Sequence, residues 1–172
     1  MKKLIAVLLC AMCVFSLAAC AGKSPEPVEQ TETEGSAELV GMQNPFVDYD
    51  TMEAACEAAG FDFAVPDTVD GYAAERQIQV MNGTMIQVMY LNENGDRVII
   101  RKAPGSDDIS GDYTIYATEK VITIGDDTEV KARGDEDLFS SAVWTTDNFT
   151  YAVMLDQPTD ELALVSILNE VN

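Results

Sequence analysis

Histidine is missing from all 172 residues of this chain. Its absence removes the side chain most used as general base, as metal ligand and as proton switch near neutral pH. Basic residues are scarce too: 10 Lys and Arg stand against 30 Asp and Glu, a net charge of −20. Such a surface repels phosphate polymers and anionic headgroups, favours cations or basic partners, and keeps a chain soluble. Nucleic acid is excluded as a partner on that ground. Cysteine offers no framework: Cys10, Cys13 and Cys20 crowd the N-terminus and Cys56 stands alone, so no disulfide network can staple a fold. Without an imidazole to activate it, Cys56 reads as a small core hydrophobe. Zinc needs more thiolates or imidazoles than remain. No Ser-x-x-Lys sequence is present to replace a serine–histidine pair. In a chain this acidic, a glycosidase-like carboxylate pair cannot be singled out by pattern. Catalysis is therefore not expected, nor is a cofactor.

What is present begins at the N-terminus. Lys2 and Lys3 precede an apolar run from Leu4 to Leu17, broken only by Ser16, and small residues then lead to Cys20. That is the grammar of a secretory signal, and the run is short of the about 20 residues that a membrane-spanning helix requires. Leu17-Ala18-Ala19-Cys20 resembles the bacterial lipoprotein signal, which implies that Cys20 receives a diacylglyceryl group and becomes the first mature residue. Two acyl chains hold firmly where one holds only marginally. The expectation is a signal over 1–19 and a protein tethered to the extracytoplasmic face of a membrane. Its partners would then be the membrane, through the lipid, and an envelope protein. Removing Lys2 and Lys3 from the 10 bases leaves 8 against 30 acids, a mature net charge of −22.

From Ala21 to about Asn44 the chain is rich in Pro, Glu, Thr, Ser and Gly and has no aromatic residue. Such a stretch cannot bury enough surface to fold; as a coil it would span roughly 25–30 Å. Residues 20–44 thus read as lipidated cysteine and acidic linker, and 45–172 as one domain, expected as a monomer.

Within that domain, Asp50 and Glu53 form a capping-box pattern. Met52, Ala55, Cys56 and Ala59 then make one apolar helical stripe that Gly60 ends. Period-two alternation follows. Strands are expected at 77–81, 84–91 and 97–102, joined by turns at Asn82-Gly83 and Asn94-Gly95. Further strands are expected at 113–117, 120–125, 128–133, 142–146 and 149–155. Thr159 is placed to cap a closing helix with Leu164, Val165, Leu168 and Val171 on its buried stripe. The expected class is α+β: one curved antiparallel sheet of about seven to eight strands with an N-terminal and a C-terminal helix packed on one face.

Two sets of residues stand out as candidate sites. Arg101 to Tyr113 gathers two cations, three aspartates and two serines between strands. Asp108, Ser110, Asp112 and Glu119 have the spacing of oxygen ligands in a calcium loop, although Tyr113 occupies the place that wants glycine. Cation binding by the Asp107–Asp112 loop is thus one reading. The other is an ordered connection in which the aspartates bond backbone N–H groups and Arg101 or Lys102 pairs with an aspartate. Met81, Met85, Met89, Tyr116 and Trp144 are contact candidates on the sheet face away from the helices, with core packing the rival account for each.

The chain also resembles a family of domains of unknown function found in bacterial lipoproteins and in the outer portions of anti-sigma-type membrane proteins. The resemblance runs through Asn44-Pro45-Phe46-Val47, Ala59-Gly60-Phe61, Val65-Pro66, Gly71-Tyr72, Ile100-Arg101-Lys102-Ala103, Asp108-Ile109-Ser110-Gly111-Asp112-Tyr113, Trp144 and the final helix. It implies a secreted, membrane-held α+β module with no established reaction. The functional expectation is a non-catalytic binding or sensing accessory module; the alternatives are a cation-binding module using the Asp107–Asp112 loop and, after it, an enzyme of unrecognised type.

Overall fold

The computed structural model describes residues 44–125 and 127–171. The signal, Cys20 and the linker to residue 43 lie outside the described residues. The elements are β1 (Phe46–Tyr49), α1 (Met52–Ala59), β2 (Glu75–Met81), β3 (Met85–Leu91), β4 (Arg97–Pro104), β5 (Thr118–Ile124), β6 (Thr128–Asp135), β7 (Leu138–Thr146), β8 (Phe149–Thr159) and α2 (Glu161–Leu168). All strands join one antiparallel sheet of eight, in the order β1-β2-β3-β4-β8-β7-β6-β5.

The α+β expectation is therefore corrected: this is a sheet protein with two helices of 8 residues each. The physical reason lies in where the helices stop. Gly60, with φ 79°, takes the left-handed conformation and closes α1 after two turns. The irregular segment between α1 and β2, with Phe63 and Val69 buried, does the covering that longer helices would have done. The caps differ as well. Thr51, not Asp50, accepts from Ala54 N at 3.2 Å, and Asp160, not Thr159, accepts from Ala163 N at 2.9 Å.

Turn chemistry sets the strand order. Asn82 and Gly83 take φ 52° and 67°, and Asp147 and Asn148 take 52° and 64°, the doubly positive pattern that suits two-residue hairpins. Between β3 and β4, Asn92 Oδ1 accepts from the backbone N–H of Asn94 and of Asp96, each at 2.9 Å. At the β6–β7 irregularity beside Gly134, a Cβ would lie 1.9 Å from Leu138 O, so only glycine fits.

Period two then assigns the faces. Ile78 and Val80, Ile86 to Tyr90 by twos, Val98 and Ile100, Ala142 and Trp144, and Tyr151 to Leu155 by twos are buried on one face. With Ala55, Leu164 and Leu168 from the helices they form the core. Each large apolar side chain taken from water there contributes about 1.5–3 kcal/mol. Residues 113–117, expected as a strand, carry no strand pairing and run as an extended lead into β5.

Candidate functional site

The face away from the helices is also covered. Met85, Gln87, Ala103, Ser141, Thr150 and Ala152 point to that side and are all buried. The connection from β4 to β5 lies across it. Arg101 is its main fastener: Nη1 donates to the carbonyls of Ile109 and Ser110 at 3.0 and 2.7 Å. Arg101 Nε donates to Gln87 Oε1 at 2.7 Å. Gln87 donates to Gln79 at 2.9 Å, and Gln79 to Asp48 at 2.8 Å. A polar ladder thus runs from edge strand β1 to the β4–β5 connection. Burial lowers the Arg101 pKa, and its neutral acceptors take the place of a carboxylate partner. Gly111 (φ 66°) lies close enough that a Cβ would sit 3.1 Å from Arg101 Nη1.

The aspartates of this connection bond locally. Asp108 accepts from Ser110 N at 2.9 Å and from Arg133 at 3.1 Å. Ser110 Oγ accepts from Asp112 N at 3.2 Å. Asp112 accepts from Thr114 N at 3.0 Å and from the Tyr116 hydroxyl at 2.8 Å. Burial would raise Asp108, but bonds from Ser110 and Arg133 outweigh it and hold the carboxyl below its usual range. For Asp112 burial is likewise outweighed, by bonds from Thr114 and Tyr116. Glu119 faces Lys131 at 3.3 Å and Arg133 at 3.4 Å. The four oxygen-ligand candidates therefore do not converge on one point. The Arg133 guanidinium stands between Asp108 and Glu119, and Asp112 turns to Tyr116. Among the described residues no three acids or cysteines are grouped to hold a metal.

Lys102 points the other way, into the core side. It is buried, donates to the Asp62 carbonyl at 2.8 Å, and has the rings of Phe149, Tyr151, Phe63 and Phe61 at 4.8, 4.9, 5.9 and 6.0 Å. Cation–π attraction, about 2 kcal/mol or more when desolvated, takes the place of a counterion. Among the described residues neither Arg101 nor Lys102 pairs with an aspartate. Trp144 is a core residue stacked on Tyr151 at 5.1 Å, and Met85 is buried; neither is free to touch a partner. Met81, Met89 and Tyr116 are half-buried.

A different place has the shape of a binding site. Where the 66–72 segment, the end of β8 and α2 meet, they line an open cavity of about 440 Å³. Val69, Leu155, Pro158 and Ile167 give it apolar walls, while Asp70, Tyr72, Ser166 and Glu170 bring polar groups. That size and mixture suit a small ligand. Burial raises the Tyr72 hydroxyl pKa, and the nearby charges of Asp96 and Asp156 raise it further. These residues lie far apart in the sequence and on no shared periodicity; only the closing of α2 over the sheet brings them together.

No family model, no curated protein and no solved structure matches this chain.

Proposed function

We propose that this protein is a lipid-anchored, extracytoplasmic binding module without catalytic activity, held to its membrane through Cys20. The cavity between the 66–72 segment and α2 is the observation that carries the binding part of this reading. Its walls hold carboxylates, hydroxyls and apolar surface, and among them no nucleophile–base pair. The lipid part is supported by Leu17-Ala18-Ala19-Cys20, and its extracytoplasmic setting by the charged start and apolar run before it. The family resemblance stands beside this as a proposal of the same kind.

The test is recovery of the protein from its native membrane. Mass spectrometry should find a diacylglyceryl group on Cys20, and a small molecule released on denaturation from wild type but not from Ala163→Trp, which fills the cavity mouth. A cytosolic protein with an unmodified Cys20 defeats the anchor. Equal release from both proteins defeats the cavity.

A second reading, contact with an envelope protein, has its own observation. Of the six exposed large apolar side chains among the described residues, Tyr113 (94%), Ile115 (97%), Val121, Leu138 and Leu162 lie on or beside edge strand β5. An edge strand offers unpaired backbone groups to another chain. The bases of this region are already engaged: Lys120 with Glu161, Lys131 and Arg133 with Glu119, and Arg133 with Asp108. The acids left over favour a basic partner. Cation capture by the Asp107–Asp112 loop gains no comparable support, because Arg133 already neutralises Asp108.

A further inference from the structure

We infer that the ligand of the cavity is a small molecule bearing a protonated amine on an apolar body. This rests on the reading of the cavity as a binding site and adds the chemical class. Among the described residues the charged side chains at its rim are Asp70 and Glu170, both exposed, and no lysine or arginine lines it. Asp96, bonded to the lining residue Gln157, and Asp156, next to it in the chain, add negative charge beside Tyr72. The neighbouring bases are directed elsewhere. Arg97 bonds Asp156 at 2.8 Å, which offsets one of those charges. Arg76 reaches Asp67 at 3.5 Å and lies 5.7 Å from the Tyr90 ring centroid. Asp96 accepts from the amides of Asn92 and Gln157, neutral donors that leave its charge in place.

An anion entering here would meet carboxylates without a compensating cation, at a cost that grows as water is excluded. A neutral apolar molecule would gain nothing from the two exposed carboxylates, which keep their water. An ammonium group answers them, while Val69, Leu155 and Ile167 receive the rest of the molecule. The hydroxyls of Thr68, Ser166 and Tyr72 can accept the remaining N–H groups.

The experiment uses three probes of one shape: phenethylamine, phenethyl alcohol and phenylacetate, titrated calorimetrically into the full chain in detergent micelles. The amine is expected to bind about tenfold or more tighter than the alcohol, with phenylacetate weakest. Asp70→Asn with Glu170→Gln should bring amine and alcohol within about twofold of each other. Ala163→Trp and Ser166→Trp, both at exposed helix positions, should each abolish amine binding while the melting transition stays in place. Equal binding of amine and alcohol by wild type overturns the amine assignment and leaves a binding cavity standing. Absence of binding by all three probes at millimolar concentration overturns it. So does amine binding unchanged in both tryptophan variants, which would also remove the cavity from the functional reading.

Discussion

The two faces of the sheet exclude water by different means. The face toward α1 and α2 does so with apolar volume: Ile86, Val88, Val98, Ile100 and Val153 are sealed in one core with Ala55, Leu164 and Leu168. The opposite face does so with hydrogen bonds. Its buried residues include the bonded Gln87 and Thr150, and its cover is a connection fastened by Arg101 and Arg133. Apolar packing loses free energy in proportion to the volume removed. A polar cover instead fails in steps, because a lost donor leaves its acceptors unanswered. The first face should resist changes of solvent and the second should answer them.

The largest effect should come from the first face. Leu164→Ala empties the space under α2 and is expected to cost about 3–5 kcal/mol by urea denaturation. A loss below about 1 kcal/mol would mean that α2 contributes little to the core. On the opposite face, Arg101→Ala strands the carbonyls of Ile109 and Ser110 and the side-chain amide oxygen of Gln87. It should cost about 2–3 kcal/mol, and hydrogen exchange should quicken in residues 105–117 far more than in β3. Uniform quickening across the sheet would erase the distinction between faces.

Acid should separate them further. Asp108 and Asp112 have folded pKa values below their usual 3.8. The stability they add is present above that value and lost as the pH falls through the lower, folded one. The β4–β5 connection should therefore loosen below about pH 4 while β2–β4 stay protected, as amide exchange at stepped pH would show. At the small end, Ser141 Oγ is buried with no hydrogen-bond partner among the described residues. Ser141→Ala should then be neutral or stabilising by up to about 1 kcal/mol; a clear loss would reveal a bond that the hydroxyl makes in solution.

Which parts were legible in the sequence follows from the same physics. Asn82-Gly83 and Asp147-Asn148 were readable because positive φ at both turn positions restricts residue choice. Trp144 was harder: alternation names its two possible faces without saying which one is core. The side facing away from the helices looks free in the sequence because a cover made of polar loop leaves no periodic trace. Its Asp-Ile-Ser-Gly-Asp run suggested an ion, since calcium loops and Asx turns use the same short oxygen-bearing residues at the same two-residue spacing. β1 was missed because four residues with Asp48 among them carry too little pattern. The cavity left no signal at all: Asp70, Leu155 and Glu170 become neighbours only after the sheet has closed.

Lys102 has one more consequence. Surface ion pairs such as Arg97 with Asp156 fade as dissolved salt rises. A cation clasped by four rings and a peptide oxygen, shut away from the medium, has no counter-charge for that salt to shield. The joint between the segment that follows the first helix and the centre of the sheet is thus indifferent to ionic strength.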